Sequence, residues 1–146
     1  MSKWATAFAS VLILVLSMAT TGCSQSSTVE GVVDHKVLSG IRESTQSAIV
    51  WNVLDDDGTP INVVKDDDFQ DCFPLHGELV VSEEVENQMG AVYSDFVYQV
   101  SVRKSPDDTF GYLTTREIFN QMGLGATVKF QVSESSGIPR IVRIID

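Results

Sequence analysis

Basic residues are scarce in this chain. Ten Lys and Arg stand against twenty Asp and Glu, a net charge of −10 at neutral pH. Such a chain repels phosphate backbones and anionic headgroups, which argues against nucleic acid as a partner and against purely electrostatic attachment to a membrane. Histidine is scarcer still, with only His35 and His76. There is no Gly-rich phosphate loop, no zinc pair of cysteines, no nucleophile elbow and no Ser-His-Asp order. The many acids allow many carboxylate pairs, and nothing singles one out for glycosidic chemistry. No internal repeat is visible. With no catalytic constellation, the expectation is a non-enzymatic protein.

A membrane-spanning apolar run is also lacking. Trp4 to Ala19 is apolar, with Val11-Leu12-Ile13-Leu14-Val15-Leu16 at its centre. It falls short of the ~20 residues a helix needs to cross the hydrocarbon core. Lys3 precedes it and small residues follow, so residues 1–22 read as a secretory signal rather than a retained anchor.

The segment ends in Thr20-Thr21-Gly22-Cys23. This resembles the lipobox of bacterial lipoproteins, in which a large aliphatic residue and two small ones precede a cysteine. Thr21, Gly22 and Cys23 fit, and Thr20 stands where the aliphatic residue is usual. The resemblance implies a diacylglycerol thioether on Cys23, a mature chain beginning there, and membrane attachment through the lipid. Cysteine suits the step because a thiolate is a strong nucleophile. Ser24 replaces the aspartate of an inner-membrane retention signal, which favours the outer membrane, facing the periplasm. Residues 23–28 would be anchor and flexible tether, and 29–146 a single domain able to bury a core. Without Lys3, the mature chain carries −11. Cys72 would then be a lone, buried thiol. The alternative is a Cys23–Cys72 disulfide in an exported domain without lipid.

The mature chain is patterned for β structure. Val29 to Val37 is a strand with a bend at Gly31. Ser39 to Ser47 reads as a loop. Ala48 to Leu54 is β-branched and aromatic, and it stops at Asp55-Asp56-Asp57-Gly58, a strong hairpin signal. Ile61 to Val64 should return antiparallel. Leu79-Val80-Val81 reads as a short strand. Ser82 can cap a helix over 83–89 that stops at Gly90. In Asp95 to Arg103, Phe96, Tyr98, Val100 and Val102 alternate with polar or smaller neighbours, which puts the aromatic face inward. Phe110 to Leu113 is a further strand. Thr114 to Glu117 reads as a capping box, with Leu113 and Ile118 as its staple, for a helix over 115–122. Strands at Val128 to Val132 and Arg140 to Ile145 complete the chain.

Mainly β structure with two short helices is therefore expected, as a small antiparallel barrel or a sandwich. The order strand, strand, strand, helix, strand, strand resembles an OB-fold, with 38–95 as a long insertion carrying its own hairpin and helix.

Three groups of residues are candidates for binding. Asp55, Asp56, Asp57, Asp66, Asp67, Asp68 and Asp71 offer oxygen ligands for Ca²⁺, although their spacing is not that of an EF-hand and turn chemistry with solubility accounts for them better. The run Cys72-Phe73-Pro74-Leu75-His76 superficially resembles a blue-copper ligand loop, with His35 as the upstream ligand. Met89 lies thirteen residues beyond His76, too far for that loop. Trp51, Tyr98 and Tyr112 are aromatic residues that can face a ligand, though their alternation with polar residues at the strand period favours core packing. The favoured reading is an envelope lipoprotein that holds a partner protein near the membrane through a small binding or scaffold domain. The runner-up binds a divalent cation or small ligand at the acidic loops.

Overall fold

A computed structural model describes residues 26–145. The expected signal segment 1–22, Cys23 and Ser24 lie outside the described residues, as does Asp146. The elements run β1 (Ser26–Arg42), β2 (Thr45–Leu54), β3 (Pro60–Val64), a 3-10 turn (Asp67–Cys72), α1 (Glu83–Met89), β4 (Asp95–Ser105), β5 (Asp108–Thr114), α2 (Arg116–Gln121), β6 (Thr127–Ser135) and β7 (Ile138–Ile145).

Five strands close a mixed barrel in the order β1-β4-β5-β7-β6, with β6 returning to β1. Neighbours are antiparallel except β5 and β7, which are parallel. The barrel thus has the strand-strand-strand-helix-strand-strand order expected from the sequence, and it is not a sandwich. The β2–β3 hairpin extends the sheet from β1, and residues 43–94 form the insertion.

β1 organises the barrel. It pairs with β6 over Ser26–Val32, with β4 over Val32–Ile41 and with β2 over Lys36–Arg42. The change of partner falls at Gly31, where a Cβ would lie 2.6 Å from Val102 Cγ1 and 2.8 Å from Arg103 O. Only a bare Cα lets the backbones approach this closely.

Several sequence expectations need correction. Ser26-Ser27-Thr28, expected in the tether, pair with Ser133, Val132 and Gln131 and belong to β1. The expected loop 39–47 is strand on both sides of a two-residue turn. Its residues Glu43 and Ser44 both have positive φ (51° and 63°), the twist a tight hairpin requires. Leu79-Val80-Val81 is not a strand. The N-cap of α2 is Thr115, which accepts from Ile118 N at 3.3 Å, not Thr114. Thr114 instead ends β5 and donates to Ile141 O at 3.1 Å. The expected staple is displaced with it, since Leu113 and Ile118 no longer flank the cap at the required spacing. Ser82 does cap α1, accepting from Val85 N at 3.1 Å, and Gly90 closes that helix.

The core is apolar and filled. Val33, Leu38, Val100, Val102, Phe119 and Phe130 are fully buried within it. Tyr98 meets Phe119 edge-on at 5.1 Å, and Tyr112 meets Phe130 edge-on at 5.3 Å. Among the described residues no helix is long and apolar enough to cross a membrane.

Candidate functional site

The outward face of the hairpin carries the exposed aromatic surface. Alternation on β2 turns Val50 and Asn52 inward and leaves Trp51 36% exposed, while Ile49 is buried at the β-bulge where the register with Leu38 and Ser39 shifts. Trp51 stands beside Val37 of β1 and Val63 of β3, and Val53 stands beside Ile61. Trp51, Val53, Val63 and Lys65 line a shallow apolar depression. The His35 ring stacks on Trp51, with centroids 5.6 Å apart and planes 16° from parallel. His35 Nδ1 lies 2.8 Å from Asp34 Oδ2, and Arg103 approaches Asp34 Oδ1 at 3.7 Å. The carboxylate thus fixes the imidazole that supports the indole.

Segment 73–82 holds the insertion to the barrel without forming a strand. Its backbone groups are satisfied largely by side chains. Asn62 Nδ2 donates to Pro74 O at 2.8 Å, and Asn52 Nδ2 donates to Gly77 O at 3.0 Å. Asn52 Oδ1 accepts from Leu79 N at 3.1 Å. Asn120 on α2 accepts from Val81 N at 2.8 Å and donates to Val81 O at 2.9 Å. Segment 74–77 also covers the outer edge of β3: Asn62 N bonds Leu75 O, and Gly77 N bonds Pro60 O. A bare edge strand would otherwise invite pairing with another chain.

Lys36 is the least expected part of this strap. It is 1% exposed, and its Nζ donates to Leu79 O and Phe119 O, each at 2.9 Å. The ammonium lies 4.4 Å from the centre of the Phe119 ring. It therefore joins β1, the strap and the end of α2, where Phe119 O also accepts from Met122 N at 3.3 Å. Burial pushes its pKa down to about 8, against the opposing pull of Glu78. Glu78 itself accepts from Leu124 N at 3.0 Å.

The other expected site residues are placed as follows. Tyr98 and Tyr112, expected to face a ligand, are core residues at 6% and 4% exposure. Tyr98 also donates to Glu86 Oε2 on α1, and burial first, then this hydrogen bond, raises its pKa. Only Trp51 of the three is on the surface. The acidic loops sit at opposite ends of β3 and serve turns. Asp55 Oδ1 accepts from Asp57 N and Thr59 N, each at 2.9 Å. Asp66 accepts from Asp68 N at 3.1 Å and from the Tyr93 hydroxyl. Among the described residues, no group of three or more His, Cys, Asp or Glu is arranged to hold a metal ion. Cys72 is half-buried, with Sγ 3.7 Å from Gln88 Oε1, and His76 is exposed beside Ile61, so the two form no pair.

Charge is divided between the two parts of the fold. Residues 43–94 hold twelve acids and one base, Lys65. The described barrel residues, 26–42 and 95–145, hold seven acids and eight bases. The insertion therefore carries the negative charge of the domain, and the barrel is nearly neutral.

Sequence reasoning named His35 only as a copper-ligand candidate and missed its stack on Trp51, and it missed Lys36 and the asparagines at 52, 62 and 120. One signal was available: Lys36 shares strand parity with Leu38, which put it on the inward face. Comparison with protein-family models, with curated proteins and with solved structures returns no match.

Proposed function

We propose that this chain is a lipid-anchored protein of a bacterial envelope, held through Cys23 at the outer membrane and facing the periplasm. Its barrel acts as a rigid support for a binding face and performs no reaction. The observation that carries this reading is the outward Trp51 surface, braced by His35 and flanked by Val53 and Val63. A half-exposed tryptophan in an apolar setting is the kind of side chain that anchors a protein interface. The barrel interior is filled, which favours recognition on this face over an internal ligand.

The position of Cys72 supports the lipid over the disulfide. It ends the 3-10 turn whose Phe69 packs on Tyr93, and Tyr93 lies over Gly40. That is the far end of β1 from Ser26, whereas Cys23 precedes Ser26 by three residues, a reach of at most ~11 Å.

A photocrosslinking residue placed at Trp51 or Val63 in the full chain should give one discrete protein adduct in cells. The same residue at Asp108, at the start of β5, should not. Trp51→Ala should abolish partner recovery while the domain stays folded by circular dichroism, at a cost of about 1–3 kcal/mol for the packing lost against His35, Val37 and Val63. Equal adduct patterns at all three positions would overturn this assignment of the face.

A further inference from the structure

The two ends of the barrel differ. At one end α2 packs Phe119 and Met122 into the core, both fully buried. Among the described residues the other end is open. Ser27, Lys104, Phe110, Glu134, Gly137 and Pro139 surround it, over a floor of Val29, Tyr112 and Val132. Phe110 is 45% exposed there, although it lies opposite the buried Val102 on the inward face of β5. Its ring rests 5.0 Å from Tyr112, so it is held in place. Ile138, the first residue of β7 beside this opening, is 43% exposed.

We propose that this open end is a membrane-contacting surface, with Phe110 and Ile138 seated at the headgroup–acyl boundary of the bilayer that holds the lipid on Cys23. The inference rests on the lipid-anchor reading and adds an orientation to it. Three observations carry it. First, Ser27 lines the opening, and Cys23 is four residues before it, within ~14 Å of extended chain. An anchor so short brings this end, and no other, to the bilayer. Second, Phe110 and Ile138 put exposed apolar surface at this opening beside the polar Ser27, Lys104 and Glu134, and burying these two side chains against lipid removes them from water. Third, the acidic insertion leaves β1 after Arg42 and rejoins at Asp95, at the other end of that strand. Anionic headgroups therefore repel the insertion and not the near-neutral barrel, which selects the same orientation. The Trp51 face then stands to the side of the barrel, free for a partner.

The test uses the full mature chain, purified from membranes and reconstituted in vesicles of phosphatidylethanolamine and phosphatidylglycerol. Phe110→Trp is introduced in a Trp51→Phe background, with Ile138→Trp as a second reporter. Circular dichroism confirms folding of each. The proposal expects blue-shifted emission and quenching by brominated lipids severalfold stronger than for the native Trp51 in the parent chain. Quenching no stronger than at Trp51, in a chain whose mass shows diacylglycerol on Cys23, overturns the orientation and leaves the anchor standing. A chain without diacylglycerol overturns both. Emission that shifts only as concentration rises, without lipid quenching, assigns the surface to a second copy and overturns the proposal.

Discussion

Lys36→Met will destabilise the domain by about 2 kcal/mol at pH 7 and about 4 kcal/mol near pH 10. Two effects oppose each other at neutral pH. The variant leaves Leu79 O buried without its donor, at ~1–3 kcal/mol, and leaves Phe119 O with only the 3.3 Å bond from Met122 N. It also removes an ammonium whose burial is unfavourable, as its lowered pKa reports. The carbonyls outweigh the relief because they belong to the backbone and no substitution at Lys36 removes them.

The pH dependence follows from linkage. The folded pKa of Lys36 is about 8, below its ordinary 10.5. Between those values the unfolded chain holds a proton that the folded chain has released. Stability therefore rises with pH across that window, by up to ~3 kcal/mol. Tyr98 acts oppositely. Its folded pKa is raised above the ordinary 10.0, so its contribution is complete below pH 10 and is lost as pH climbs further. Urea unfolding of the parent should show stability increasing from pH 8, then turning over above pH 10. The Lys36→Met variant should lack the rise. A parent whose stability is flat from pH 8 to 10 contradicts this account of Lys36.

Asn52→Ala has the second large effect. Asn52 Nδ2 donates to Ile61 O at 3.1 Å, Asn62 Oδ1 at 2.9 Å and Gly77 O at 3.0 Å, and its Oδ1 accepts from Leu79 N. Asn52 is fully buried, so water does not replace these bonds. Stranding several buried polar groups costs about 4 kcal/mol in total. The same variant should speed hydrogen exchange at Leu79 N far more than at Val100 N in β4, because the strap loosens while the barrel ladder stays paired. Equal acceleration at both amides would show that the strap and barrel unfold as one unit.

Much of the fold was legible because its signals are local. The stretch Ala48 to Leu54 has the composition of a strand, and Asp-Gly turns it back. Asp95 to Arg103 alternates cleanly, and Ser82 announces α1. What was hidden depends on distant partners. Ser26-Ser27-Thr28 look like a tether, but β6 makes them strand. Ser39 and Gly40 look like a loop, but Gly40 is bare because the Tyr93 ring would lie 2.4 Å from its Cβ. The strap 73–82 has no period because asparagine and lysine side chains from other elements satisfy its backbone. Alternation placed Tyr98 and Tyr112 on inward faces, and the packing of α2 and Phe130 shows why neither is free for a ligand. Trp51 was visible as a residue, while the His35 stack beneath it came only from the register of β1 with β2.

Intact mass spectrometry of the chain extracted from membranes, followed by peptide mapping of its N-terminus, bears most directly on the central claim. The account predicts a chain that begins at Cys23, carries diacylglycerol on that cysteine and has a free thiol at Cys72. A lipid-free chain with Cys23 bonded to Cys72 would contradict it.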